Sequence, residues 1–256
     1  MTDLTSRTAV VSAGGSGIGR ATALLLGSRG ARVAVLDLNG ESATAVAEEI
    51  TVAGGTATAH QADGGVLADL DRAVTEIGAV TDRVDILFNN IGMPNPHGIE
   101  GIDEGTWHKV IDVNLKSNFF LTQKLLPLMR ATGRGASVIF TASAAGLTGS
   151  YTTPLYSLTK AGLIGLTKSL SVVLAPDHIR VNAVCPGPVR TPMLPGFLSK
   201  PAEEADAVAE LYSSRVPMGR VAEAEEIAAA VAYLASDAAS YVNGVPLPVD
   251  GGYVAI

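Results

Sequence analysis

Short segments rich in Val, Ile and Ala alternate with longer segments of helical periodicity along almost the whole chain. The short segments are predicted strands at residues 7–12, 32–37, 56–61, 84–88, 136–141, 179–184 and 245–249. The predicted helices are residues 20–29, 41–52, 66–80, 106–129 (as one or two helices), 155–174 and 222–234. Short strands that alternate with longer helices are typical of βαβ units, whose strands run parallel. The pattern therefore predicts an α/β fold, a doubly wound, seven-stranded parallel sheet with helices on both faces.

No linker, repeat or low-complexity stretch divides the 256 residues, so we expect a single domain over residues 1–256. The 18 basic and 25 acidic residues give a net charge of −7 at pH 7. This balance disfavours a nucleic-acid partner, because phosphate contacts need clustered Lys and Arg. The amino terminus lacks the layout of a secretion signal, and no apolar run approaches the ~20 residues of a membrane span. We therefore expect a cytoplasmic protein with no membrane partner.

A cluster of glycines, Gly14, Gly15, Gly17 and Gly19, lies between the first predicted strand and its helix. Binding of a diphosphate requires backbone N–H groups at close range, and a Cβ atom obstructs that approach. The N-terminus of the helix adds a partial positive charge. A glycine cluster with a strand before it and a helix after it predicts a dinucleotide-binding loop.

Asp37 ends the second predicted strand, 18 residues after Gly19. A carboxylate at this position accepts hydrogen bonds from the adenosine ribose hydroxyls and repels a 2′-phosphate. Leu38 is not basic, and Ser16 occupies the loop position where a basic residue serves NADP. These residues favour NAD as the cofactor. The alternative role for Asp37 is that of a turn former at the end of a strand.

Tyr156 and Lys160 are four residues apart near the start of the predicted helix 155–174. Side chains with this spacing share one face of a helix. A nearby ammonium group favours the phenolate and lowers the pKa of the tyrosine, as a general acid/base requires. Ser143 lies 13 residues earlier, just after a buried strand, at the edge of the sheet where ligands bind.

These motifs together resemble the short-chain dehydrogenase/reductase family, in its compact single-domain branch, and the resemblance runs essentially from end to end. The matching motifs, in chain order, are Ser12 to Gly19, Asn89-Asn90-Ile91-Gly92, Asn114, Ser143, Tyr156 with Lys160, Pro186 to Thr191, and Asp250-Gly251-Gly252. Two residues depart from the family pattern. Ala13 stands where the family has its first loop glycine, and Ile91 where it has an alanine. We expect Ala13 to be tolerated if its φ stays negative, and Ile91 to lie near the cofactor or in the core beneath it.

The resemblance implies a dehydrogenase or reductase with four catalytic residues. Tyr156 transfers a proton to or from the substrate oxygen, Lys160 lowers its pKa and binds the nicotinamide ribose, and Ser143 donates a hydrogen bond to the same oxygen. Asn114 holds a water that links Lys160 to solvent.

The resemblance also implies a set of cofactor contacts around this centre. They are Gly14, Ser16, Gly17, Ile18 and Gly19 at the diphosphate, Asp37 and Asn90 at the adenosine ribose, Asp63 and Gly64 at the adenine, Val189 and Thr191 at the carboxamide, and Tyr156 with Lys160 at the nicotinamide ribose.

Residues 191–215 form a long segment after a predicted strand, and we expect it to be a substrate lid with an acidic helix at 203–211. The expected pocket wall is apolar: Ala144, Ala145, Leu147, Pro188, Met193, Leu194, Phe197 and Leu198. Ser150, Tyr151 and Thr152 are expected to add polar contacts. This wall indicates a moderately hydrophobic alcohol or ketone as substrate.

The favoured function is NAD-dependent interconversion of a secondary alcohol and a ketone, with a homotetramer implied by the resemblance. Two alternatives remain. A 3-oxoacyl-carrier-protein reductase would use the same motifs, but such enzymes usually use NADPH and bind an acidic carrier, which Asp37 and the net charge disfavour. A sensor that binds NAD without turnover would not need the Asn, Ser, Tyr and Lys set.

Overall fold

A computed structural model describes residues 3–95, 97–150 and 152–255. Seven parallel strands form the main sheet: β1 (Thr8–Ser12), β2 (Arg32–Asp37), β3 (Thr56–Gln61), β4 (Ile86–Asn89), β5 (Ala136–Thr141), β6 (Ile179–Pro186) and β9 (Pro246–Val249). Their order is β3-β2-β1-β4-β5-β6-β9, so the order reverses between β1 and β4. Two short strands, β7 (Val189–Arg190) and β8 (Ala222–Glu223), pair separately near the carboxyl end of β6. The predicted parallel sheet is confirmed.

Helices connect the strands: α1 (Gly17–Ser28), α2 (Gly40–Val52), α3 (Leu67–Val80), α4 (Glu104–Ile111), α5 (Ser117–Arg130), α6 (Pro154–Val173), α7 (Ala205–Ser213) and α8 (Ala224–Ala235). Apolar side chains of α3, α5 and α6 cover one face of the sheet. Those of α1, α2 and α8 cover the other face. The sheet is therefore doubly wound, because a separate apolar core packs on each face.

Several predicted boundaries are wrong by a few residues, each for a local reason. Helix α1 begins at Gly17 rather than at residue 20, because the N–H of Arg20 already donates to Ser16 O at 3.0 Å, the first hydrogen bond of the helix. Residues 106–129 divide into α4 and α5, separated by a π-helical segment over Asp112–Lys116. Ala222 and Glu223 belong to β8, and Glu223 then caps α8 in a capping box with Glu226.

Residues 191–215 fold into short helices that share a small core with Val221. Leu194–Leu198 and Ala202–Glu204 are 3₁₀ turns, and α7 follows them in place of the predicted helix at 203–211. The buried members of this core are Leu194, Val208, Ala209 and Val221. Within the described residues, no helix is both long and apolar enough to cross a membrane.

Candidate active site

The glycine loop joins β1 to α1 and is bent by two residues in the left-handed region, Ala13 with a φ of +47° and Gly17 with a φ of +50°. The condition of a negative φ is therefore not met at Ala13, and this alanine holds a strained backbone conformation. Gly14 donates to Leu36 O at 3.0 Å, which ties the loop to β2. A Cβ on Gly19 would lie 1.9 Å from Ala13 O, so the loop's own backbone already requires glycine there.

Asn90 fixes the underside of this loop. Its backbone N–H donates to Ser12 Oγ at 2.9 Å, and its Nδ2 donates to Ala13 O at 3.3 Å. Thr141 Oγ1 donates to Asn90 Oδ1 at 2.9 Å. Asn90, which was expected at the adenosine ribose, follows β4 and is hydrogen-bonded to the ends of β1 and β5. It therefore supports the turn at Ala13.

Asp37 lies at the carboxyl end of β2, beside the loop. Its Oδ2 accepts a hydrogen bond from Gly15 N at 2.8 Å, and its Oδ1 accepts one from Asn39 N at 2.9 Å. Both bonds fit the alternative role of Asp37, that of a turn former at the end of a strand. Each carboxylate oxygen has a further lone pair for a ribose hydroxyl, so the two roles are compatible.

Tyr156 and Lys160 lie on the first turns of α6 and are almost fully buried, with 7% and 2% exposure. Lys160 Nζ is 5.3 Å from the centre of the Tyr156 ring and donates to Thr141 O at 2.8 Å. Burial raises the pKa of Tyr156, and a hydrogen bond with Ser143 opposes that rise. Burial also lowers the pKa of Lys160 to about 8. The net direction for the pKa of Tyr156 is the reverse of the prediction, because burial outweighs the hydrogen bond with Ser143.

Ser143 follows β5 and precedes a 3₁₀ turn over Ala144–Gly146. Its Oγ accepts a hydrogen bond from Ala145 N at 3.1 Å, which orients the hydroxyl. The turn approaches α6 so closely that a Cβ on Gly146 would lie 2.7 Å from the carbonyl carbon of Lys160. This close packing brings Ser143 to Tyr156.

Asn114 is buried in the π-helical segment, and both polar atoms of its side chain are hydrogen-bonded. Its Oδ1 accepts from Met93 N at 2.8 Å, while its Nδ2 donates to Met93 O at 3.0 Å and to Thr159 Oγ1 at 3.2 Å. Its backbone oxygen accepts from Asn118 Nδ2 at 2.8 Å. The side chain of Asn114 thus ties the segment after β4 to α6.

The residues expected at the adenine follow β3. Asp63 Oδ1 accepts from Gly65 N at 2.8 Å and closes the turn into α3. Gly64 is buried, and a Cβ there would lie 2.8 Å from Ile91 Cδ1. Ile91 packs on the core beneath the site. Of its two expected positions, it therefore takes the one in the core.

A single cavity runs from the glycine loop to the expected lid, residues 191–215. Among the predicted site residues it is lined by Ser16, Gly17, Ile18, Asn90, Ser143, Tyr156, Lys160, Val189 and Thr191. The others, Gly14, Gly19, Asp37, Asp63, Gly64 and Asn114, do not line the cavity. Every residue of the expected apolar wall except Leu147 lines the cavity, as do Ser150 and Thr152. Tyr151 lies outside the described residues.

This region also contains residues that were not predicted from the sequence, among them Asn95, Tyr212, Arg215 and Tyr253. The last three line the cavity, and Asn95 accepts a hydrogen bond from Tyr156 N at 2.8 Å. They come from three distant parts of the chain and belong to no motif. Only the fold brings them to the site.

The cavity fits a nicotinamide dinucleotide. The first N–H groups of α1 have no partner within the helix, and they meet the cavity at Ser16, Gly17 and Ile18. A Cβ on Gly17 would lie 3.2 Å from Thr191 Cγ2, in the gap between the loop and the lid.

Fold and site together define an oxidoreductase that uses a nicotinamide cofactor. The family model described as Enoyl-(Acyl carrier protein) reductase matches residues 12–254. The chain belongs to the short-chain dehydrogenase/reductase family.

Relatives of this chain include several named enzymes. It is 38% identical to cyclohexanol dehydrogenase of Acinetobacter sp., covering 97% of this chain and 95% of that protein. It is 40% identical to cis-4-hydroxycyclohexanecarboxylate dehydrogenase of Sinomonas cyclohexanicum, covering 98% and 97%. It is 37% identical to 3-oxoacyl-(acyl-carrier-protein) reductase of Aquifex aeolicus, covering 97% and 98%. A solved structure from Beutenbergia cavernae, with NADP bound at low occupancy, is 36% identical, with a TM-score of 0.90 and 99% of both chains covered.

Proposed function

We propose that the protein interconverts a secondary alcohol and a ketone, with NAD as the cofactor and Tyr156 as the acid/base. One observation carries this proposal. The phenol of Tyr156, the hydroxyl of Ser143 and the ammonium of Lys160 line one cavity with the glycine loop. A proton-transfer group, a hydrogen-bond donor and a cofactor cradle therefore meet at one place.

Each residue has a distinct role in this proposal. The bound nicotinamide supplies hydride transfer to or from the substrate carbon. Tyr156 gives its proton to the ketone oxygen in reduction and takes the alcohol proton in oxidation. Ser143 donates a hydrogen bond to the same oxygen and stabilises its developing charge. Lys160 keeps a positive charge beside Tyr156 at neutral pH, which favours the phenolate during transfer.

Asp37 supports NAD rather than NADP, because a carboxylate at the end of β2 repels a 2′-phosphate. Leu38 next to it is exposed and apolar. Arg20 on α1 is paired with Glu49 at 2.6 Å, so its charge is already compensated. We expect turnover with NAD and weak or no turnover with NADP at equal concentrations.

The substrate class we propose is a secondary alcohol on an apolar carbon ring. The substrate end of the cavity is walled by apolar side chains of the lid, among them Met193, Leu194 and Phe197. Two relatives at 38% and 40% identity are named for alcohols on a six-membered ring. Such a ring buries its carbons against this wall and presents its hydroxyl to Tyr156 and Ser143.

A substrate panel tests the proposal through NADH absorbance. It contains cyclohexanol, 4-hydroxycyclohexanecarboxylate, a linear secondary alcohol and, in the reductive direction with NADPH, an acetoacetyl thioester. We expect the highest kcat/KM for a cyclic alcohol with NAD. Preferred reduction of the thioester with NADPH would instead establish the acyl-carrier-protein reductase, and binding of NADH with no turnover of any member would favour the sensor.

We also propose a homo-oligomer formed through α5 and α6, with the homotetramer as the expected state. Large apolar side chains remain exposed on these helices: Phe119, Leu158, Val172 and Val173. A Cβ on Gly165 would meet nothing within 4 Å, so a second helix has room to approach. Light scattering at micromolar concentration should give about four times the 26.1 kDa chain mass, and a monomer mass would exclude this assembly.

A further inference from the structure

Tyr156 is the third residue of α6, so its backbone N–H has no acceptor within the helix. Such a group is usually satisfied by the side chain of the residue that precedes the helix. Here that residue, Thr153, makes no capping bond, and its Oγ1 is instead 2.9 Å from Ser150 Oγ. The acceptor is Asn95 Oδ1, at 2.8 Å, from a segment 61 residues earlier in the chain.

The segment that contains Asn95 follows β4 and leads to α4. Asn95 itself is buried, with 3% exposure. Three residues later, Gly98 donates its backbone N–H to Thr152 O at 2.9 Å. These two bonds tie the segment to the last residues before α6 and to the first turn of α6. The start of the helix that carries Tyr156 is therefore held from outside the helix.

The same segment also touches the lid. A Cβ on Gly196 would lie 3.0 Å from Pro94 Cγ, and the ring of His97 is hydrogen-bonded to Phe197 O. The Phe197 ring packs edge-on against the Tyr156 ring, with 5.0 Å between their centres. The segment thus contacts the backbone of Tyr156 on one side and the residue that covers its ring on the other.

We propose that Asn95 is a positioning residue for Tyr156: its side-chain oxygen fixes the first turn of α6, and so the direction of the phenol toward Ser143 and the substrate. The inference rests on the proposed role of Tyr156. Asn95 has no assigned contact with substrate or cofactor and acts through the helix start. Small displacements matter here, because a shift of about 1 Å in a reacting group reduces turnover by about 10²-fold.

The test compares Asn95→Ala with a matched loss of a helix cap elsewhere. Asp103 Oδ1 accepts from Thr106 N at 2.7 Å and caps α4 in the same way. We expect Asn95→Ala to lower kcat by at least about tenfold, with the Kd for NADH within about twofold of wild type. Asp103→Ala should lose thermal stability and keep its kcat. Asn95→Asp retains an acceptor oxygen at the same length, so it should recover most of the kcat.

Three results would overturn the inference. They are a kcat for Asn95→Ala within twofold of wild type, equal losses in Asn95→Ala and Asp103→Ala, and a loss in Asn95→Asp as large as in Asn95→Ala. If Asn95→Ala does not fold, Asn95→Ser replaces it, since its oxygen is one bond too short to reach Tyr156 N. Tyr156→Phe measured alongside separates the two proposals, because retained turnover in that variant contradicts the proposed function itself.

Discussion

The residues proposed to be catalytic and the proposed lid line the same cavity but pack against different hydrophobic cores. Tyr156 and Lys160 lie on α6, whose Leu163 belongs to the large core on one face of the sheet. The lid, here residues 191–215, rests on a core with only four buried apolar side chains among the described residues. Regions with few buried apolar contacts open at lower free energy than the rest of a fold. We infer that the residues proposed for proton transfer lie in the more stable part of the fold. The residues that select the substrate lie in the lid, which opens at a lower free energy.

We expect the largest effect from a substitution that removes the proposed proton-transfer group and leaves the fold and NADH binding unchanged. Tyr156→Phe removes one oxygen and keeps the ring that packs against Phe197. We expect kcat to fall by about 10²–10⁴, the range for loss of a general acid/base, while NADH affinity and the melting temperature stay close to wild type. Steady-state kinetics and NADH fluorescence titration measure both. Substantial residual turnover would assign the proton transfer to another group.

A pair of matched leucine truncations separates the two cores. Leu70 on α3 is fully buried in a large core, and Leu194 is buried in the lid core. Leu70→Ala should lower the free energy of unfolding by about 2–5 kcal/mol with an unchanged KM. Leu194→Ala should raise the KM for the alcohol by about tenfold, or ~1.4 kcal/mol, with a much smaller change in global unfolding. Denaturant titration and kinetics measure the two effects, and equal global destabilisation would show that the lid is not separable.

The expected pH dependence of the free energy of unfolding arises from buried groups outside the lid. The pKa of Lys160 is about 8 in the fold against an ordinary value of 10.5. Between these values the unfolded chain binds a proton that the folded chain has released, so the free energy of unfolding rises with pH. Burial raises the pKa of Tyr156, so Tyr156 reduces stability only above about pH 10.

Burial also raises the pKa of Cys185 from 9.0 to about 11, so above about pH 9 the folded thiol keeps a proton that the unfolded chain loses, which opposes the effect of Lys160. Between pH 8 and 10 we expect Lys160 itself to raise the free energy of unfolding of the cofactor-free protein by about 2 kcal/mol. Lys160→Met should remove this slope, and Leu194→Ala should preserve it. Urea titrations at a series of pH values give the comparison. A slope that persists in Lys160→Met would mean that other groups cause it.

The smallest expected effect lies at the adenosine end, far from the lid. Wild type should bind NADH at least about tenfold more tightly than NADPH, or ~1.4 kcal/mol. Asp37→Ala should narrow this ratio, because it removes both the ribose acceptor and the repulsion of the 2′-phosphate. Binding titrations with the two cofactors measure the ratio. An unchanged ratio would mean that Asp37 does not select the cofactor and acts only in the turn, through its bonds to Gly15 and Asn39.

Local features of the site could be predicted from the sequence, and long-range features could not. Tyr156 and Lys160 were predictable because an i, i+4 spacing on a helix fixes their common face. The left-handed φ of Ala13 was indicated only by the glycine that the family has at this position, since alanine itself gives no signal of a positive φ. The net pKa direction of Tyr156 depends on burial, which spacing does not show. The contact of Asn95 with Tyr156 joins residues 61 apart and exists only once the sheet has formed.

The π-helical segment at Asp112–Lys116 constrains how this chain can vary. An α-helix turns by about 100° per residue, so inserting or deleting one residue here would rotate either Asn114 away from Met93 or Leu121 and Leu125 away from the core. Substitutions in the segment leave this alignment in place. We therefore expect relatives to keep the same number of residues between α4 and α5 and to keep Asn114, while the other positions of the segment vary.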